Sequence, residues 1–134
     1  MGVTVGMKGS AKMTAACENT AAALDSALLP VFGSPYMIAL IESAAAGAVR
    51  AALEEGQNTV GTKFEIEHVA ATPVGMRVWA EAELVQVDGK RLVFDVTAYD
   101  DGGLIGKGHH ERFIVSGEKF VARANAKGRS GQTG

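Results

Sequence analysis

Three side chains have the types and placement that acid–base or nucleophilic chemistry needs: Glu42, His68 and Ser34. Glu42 is the only charge between Pro35 and Arg50, inside a small, apolar run, IESAAAGAV, that reads as a buried helix face. An ionised carboxylate removed from water is destabilising unless paired, and burial alone would raise its pKa. Two readings stand: a functional carboxylate, or one that pairs with an arginine or reaches water at a subunit boundary. His68 follows a stretch in which Val60, Thr62, Phe64 and Ile66 share one parity and Lys63, Glu65 and Glu67 the other. It falls on the apolar parity, so it is expected to face the helix. A lone inward histidine is commonly a core residue. Opposite a helix with a single carboxylate, it gains a partner for proton transfer near neutral pH. Ser34 has a simple structural role as a helix cap before Pro35.

Other groups carry less chemistry. His109 and His110 are neighbours on a strand, so only one can face inward. No third ligand stands at sensible spacing, and a metal site is not expected. Cys17 is the sole cysteine, which excludes an intrachain disulfide and a cysteine-built zinc site. Gly61 interrupts a strand pattern, the mark of a bulge or of close approach by a ligand or partner. Trp79 and Tyr99 read as packing residues. Gly102, Gly103, Gly106 and Gly108 precede no helix, so they are not a dinucleotide fingerprint. Phe32-Gly33-Ser34-Pro35 does not fit a nucleophile elbow.

The elements that must position these residues are legible. Met37, Leu40, Ile41, Ala44, Ala48 and Ala52 recur at helical spacing, with Ser34 as expected cap and Gly56 as expected stop. Four strands follow, over Thr59 to Ala71, Met76 to Val87, Arg91 to Tyr99 and Leu104 to Val115. Asp88-Gly89 marks a tight hairpin. Leu92, Phe94, Val96 and Ala98 alternate cleanly with Asp95 and Thr97. Short connections make the strands antiparallel, and a long buried helix before them suggests a sheet curled around it. Such a sheet leaves edges that a homodimer would cover. Ala11 to Thr20 is a weakly patterned further strand. Residues 1–10 are expected to be flexible, 11–120 to form one domain, and 121–134 to form a flexible tail.

Length and charge exclude several classes. The chain has 134 residues, one domain's worth, with 13 basic against 15 acidic side chains, so nucleic acid is not an expected partner. The apolar stretch from Tyr36 to Ile41 is interrupted by Glu42, far short of the roughly 20 residues of a membrane span. No signal peptide is visible, which implies a cytoplasmic protein.

The motifs Val31-Phe32-Gly33-Ser34-Pro35-Tyr36-Met37, Glu42, Gly61-Thr62, His68-Val69-Ala70-Ala71-Thr72-Pro73 and Gly108-His109-His110-Glu111-Arg112 together resemble the fluoroacetyl-CoA thioesterase-like family. The resemblance runs from about Val31 to Val115. It implies an α+β hot-dog fold, an antiparallel sheet wrapped around one long central helix, in a side-by-side homodimer. It also implies hydrolysis of a short acyl-CoA to free acid and CoA. The family's catalytic hydroxyl, glutamate and histidine fall on Ser34, Glu42 and His68, with serine where the fluoroacetyl-CoA enzyme has threonine. Gly61 matches a glycine beside the acyl group, and His110 and Arg112 match positions near the site. Asp25, Leu28 and Leu29 stand where the fluoroacetate-specific enzyme carries gating phenylalanines. Leu28 is therefore an expected acyl contact, and a different acyl selectivity is implied. Thiolate is a good leaving group, so no metal or cofactor is required beyond the CoA of the substrate. The rival readings are a non-catalytic module binding acyl-CoA or a small acid, an acyl-CoA hydratase or dehydratase, and a structural dimer.

Overall fold

The computed structural model describes residues 2–24 and 28–133. Helix α1 spans Ser34–Arg50, and its apolar period turns Met37, Leu40, Ile41, Ala44, Ala45 and Val49 into the core. Gly33, in extended conformation, is the cap, and Ser34 is the first helical residue with its side chain outside the capping role. That corrects the expected boundary by one residue. The helix also stops at Arg50 rather than near Gly56. The N–H groups of Ala52 and Leu53 turn back to the carbonyls of Val49 and Arg50, tightening the chain out of the helix. Gly56 then adopts the left-handed conformation, φ +84°.

Five strands form: β1 Lys8–Thr14, β2 Gln57–His68, β3 Arg77–Asp88, β4 Arg91–Asp100 and β5 Gly103–Ser116. The strand expected over Ala11 to Thr20 ends at Thr14, and Cys17–Asn19 form a short 3-10 turn instead. The five strands make one antiparallel sheet in the order β1-β3-β4-β5-β2. Tight turns close β3–β4 and β4–β5, the first through Gly89 at φ +62°. β2 precedes the β3–β4–β5 meander in sequence yet adds beyond β5, so it ends as an edge strand. The concave face presents Val78, Ala80, Ala82 and Leu84 of β3, and Leu92, Phe94, Val96 and Ala98 of β4, all buried against α1. This is the curled α+β sheet that the sequence implied.

Two termini differ from expectation. β1 begins at Lys8, inside the segment 1–10 read as flexible, because its pairing with β3 starts there. Beyond residue 116, where a flexible tail was expected over 121–134, helix α2 spans Gly117–Thr133. Its alanines, lysines and arginines are good helix formers, and Glu118 suits the positive end of the helix dipole. From Glu118 to Gly128 its side chains are all exposed.

β1 closes over α1 through a single glycine. A Cβ at Gly9 would fall on the Ala44 carbonyl oxygen and lie 2.7 Å from the Ala48 backbone nitrogen. Helix backbone does not yield as a flexible side chain would. Gly9→Ala is expected to lower stability by about 1–3 kcal/mol through overpacking, read as a reduced urea midpoint with little change in slope.

Candidate active site

The N-terminal end of α1 and the C-terminal end of β2 make the first half of the site. Ser34 Oγ and His68 Nδ1 lie 2.6 Å apart. The hydroxyl expected to cap the helix is instead engaged with the imidazole. The segment carrying Ser34 is held on both sides: Gly33 N–H donates to the Asn19 carbonyl and Phe32 N–H to the Thr72 carbonyl. Thr72 is itself buried, its hydroxyl donating to Asp100 at 2.7 Å. Val69, directly after His68, donates to the Ile105 carbonyl. These bonds fix both members of the pair on rigid backbone. Their cleft, about 390 Å³, is walled by Ala21, Val31, Phe32, Val69, Ala70 and Ala71.

His68 points inward, as its parity predicted. Burial lowers its pKa from 6.5, which keeps the ring neutral at neutral pH. Its Nε2 is buried and has no hydrogen-bond partner. The Ala70 backbone also lies against the ring and offsets part of the lowering by burial.

The second half lies further along the same two elements. Glu42 is not the desolvated carboxylate that the helix pattern suggested: 39% of its side chain is exposed, and Oε2 accepts from Arg112 Nη1 at 3.3 Å. That is the arginine pairing left open as the alternative. Arg112 on β5 is the direct cross-strand neighbour of Gly61 on β2. A Cβ at Gly61 would sit 2.5 Å from Glu42 Oε2 and 3.2 Å from His110 Cε1, so only glycine leaves room for the carboxylate. The guanidinium is held further by Thr59, whose hydroxyl accepts from Nε and whose carbonyl accepts from Nη2.

Two expected substrate contacts are placed differently. His110 is fully buried, behind Arg112 rather than on the cleft wall. Leu28 is 85% exposed and away from the cleft walls, while Asp25 lies outside the described residues. Thr59 and Phe64, which stacks on His110 at 4.4 Å, were missed by sequence reasoning. The only signal available was their position flanking Gly61, and it becomes legible once the β2–β5 register is known.

Ser34–His68 and Glu42–Gly61 do not meet within one chain. Seven residues separate Gly61 from His68, about 23 Å of extended strand. Two buried histidines make stability depend on pH. Burial lowers the pKa of His68 and, with Arg112 nearby, of His110 as well. Below the ordinary value of 6.5 the unfolded chain therefore binds more protons than the native one. Stability is full above that value and falls as pH drops toward the two lowered pKa values. Thermal melts from pH 8 to pH 5 should show a steady loss of Tm below about 6.5, a slope that His110→Gln reduces.

No helix among the described residues is long and apolar enough to cross a membrane. Residues 15–118 match the model of a family described as fluoroacetyl-CoA-specific thioesterase. A fluoroacetyl-CoA thioesterase from Streptantibioticus cattleyicolor is 41% identical over 97 residues, 72% of this chain and 70% of that protein. A solved variant of the fluoroacetyl-CoA thioesterase FlK in complex with fluoroacetate superposes with a TM-score of 0.87 at 35% identity, covering 93% of this chain and 98% of the other. A thioesterase superfamily member from Thermus thermophilus gives a TM-score of 0.91 at 26% identity, with 98% of each chain covered. By the match over residues 15–118 and the 41% identity to the Streptantibioticus cattleyicolor enzyme, and with its helix-wrapping antiparallel sheet, this chain belongs to the fluoroacetyl-CoA-specific thioesterase family, thioester hydrolases of the hot-dog fold.

Proposed function

We propose that this protein is a cytoplasmic acyl-CoA thioesterase that converts a small acyl-CoA to the free acid and coenzyme A. The observation that carries the reading is His68 Nε2, buried and without a partner on a ring whose other nitrogen is held by Ser34. With the serine hydroxyl donating to Nδ1, Nε2 bears the proton and offers a donor to an oxygen entering the cleft. A neutral imidazole in that role binds the thioester carbonyl and gains strength as negative charge develops on its oxygen. Glu42 supplies the attack. Arg112 fixes Oε2, and Oε1 either takes a proton from water as that water adds to the carbonyl carbon, or adds to the carbon itself. Collapse of the adduct breaks the C–S bond, giving the acid directly when water attacks, or an acyl–Glu42 anhydride that a water then hydrolyses to the acid and the free carboxylate when Oε1 attacks. The thiolate leaves as a stable anion and takes a proton from solvent, so neither metal nor cofactor is called for. A short acyl group is proposed because the relatives are named for fluoroacetyl-CoA and one FlK variant was solved with acetyl-CoA.

The two halves act on one carbonyl if two copies pair through β2. That strand is an unpaired edge of 12 residues, with Phe64 40% exposed. Antiparallel pairing about an axis near Phe64 and Glu65 would set Gly61 and Glu42 of one chain beside the partner's His68. A side-by-side homodimer of this kind has two equivalent sites, each using both chains.

Thiol release from a panel of short, branched and aryl acyl-CoAs tests the activity. Wild type should release CoA from at least one member, and Glu42→Gln should lower kcat by about 100-fold or more. Binding of the CoA esters without release would favour a non-catalytic module, and a changed acyl chain without thiol would favour a hydratase. Mixing inactive Glu42→Gln and His68→Ala chains tests the shared site. Random re-pairing should restore about one quarter of wild-type activity, since half of the mixed dimer's sites are intact. No recovery would confine each site to one chain.

A further inference from the structure

His110 is an inward histidine with no exposed surface, set between Phe64, stacked at 4.4 Å, and Phe94 at 6.4 Å. It cannot touch a ligand in the cleft. A polar ring in such a slot is tolerated only if both nitrogens are satisfied. They are. Nδ1 lies 2.9 Å from the Lys63 carbonyl and Nε2 lies 3.2 Å from Arg112 Nη1. A carbonyl only accepts and a guanidinium only donates, so one tautomer fits: Nδ1 carries the proton and Nε2 offers its lone pair.

That lone pair has a consequence for Glu42. Nη1 of Arg112 has two hydrogens, and its two contacts are Glu42 Oε2 and His110 Nε2. Nε and Nη2 are engaged by Thr59 on the other side. The guanidinium is planar, so fixing one Nη1 hydrogen on the imidazole aims the other at the carboxylate. We infer that His110 is a positioning residue, which acts through Arg112 to hold the Glu42 carboxylate in place over Gly61. This rests on the reading of Glu42 as the attacking group. It gives the buried histidine a role that the reaction steps themselves leave empty.

Two substitutions separate this role from a purely structural one. His110→Asn keeps an amide N–H near the place of Nδ1 and can still serve the Lys63 carbonyl. His110→Gln reaches the place of Nε2 and can present Oε1 to Arg112. With His110 acting through Arg112, Gln keeps kcat within about fivefold of wild type, while Asn loses about tenfold or more with KM little changed. Equal losses in both, or better activity in Asn, would overturn the inference. The ring ¹⁵N chemical shifts of wild type provide a measurement independent of folding of the variants and of activity. They should report Nδ1 protonated and Nε2 bare at neutral pH, and the opposite tautomer would sink the proposal. If Glu42→Gln instead retains thiol release, the functional reading of Glu42 fails while the tautomer result still stands.

Discussion

Glu42 reaches Arg112 because the residue between them has no side chain. Gly61 leaves a gap on the inner wall of β2, and the Glu42 carboxylate and the Phe64 and His110 rings crowd into it. A Cβ there would displace the carboxylate and loosen its bond to Arg112. Register does the rest. Arg112 is paired with Gly61, and His110 with Phe64, so cross-strand neighbours on one face become a stacked and hydrogen-bonded set. The register shift between Gly61 and Lys63 belongs to the same feature, since the Lys63 carbonyl serves the His110 side chain.

The placement of β2 ties that local set to the larger architecture. The strand carries Gly61 in its first half and His68 at its end, and it forms the sheet's outer edge beyond β5. An intact strand of this length leaves a row of unpaired backbone groups, which nature seldom leaves uncovered. The same edge therefore presents both halves of the proposed site and the surface through which two copies would meet. Rigid support lies behind it. Asp100, Thr72 and Asn19 fasten the turns on either side of Ser34, and none of them faces the cleft.

Much of this was legible in the sequence because periodicity reports burial. The α1 stripe, the four later strands, the Asp88-Gly89 hairpin and the inward turn of His68 all follow from spacing alone. What failed did so for identifiable reasons. Ser34 satisfied the local rule for a cap, yet the chain turns helical one residue earlier, so Gly33 is the cap and the Ser34 hydroxyl is left to engage His68. Glu42 looked buried because its sequence neighbours are small and apolar, whereas burial depends on what covers the helix, and the β2 edge leaves that side open. Thr59 was invisible because its importance depends on which β5 residue lies across from Gly61. The tail from residue 121 was judged by its glycines, although its alanines and lysines favour the observed helix.

One feature of the site works against the fold rather than for it. A buried nitrogen without a partner is destabilising by about 1–3 kcal/mol, and His68 Nε2 is such a nitrogen. Ser34, at the first helical position behind the Gly33 cap, is free to hold Nδ1. In the proposed reaction, an incoming oxygen that accepts from Nε2 would recover that lost stability on binding, and more as the oxygen becomes negatively charged. If His68 acts as proposed, such a site would favour a charged transition state over the neutral ester, which is the difference that accelerates hydrolysis rather than merely retaining the substrate.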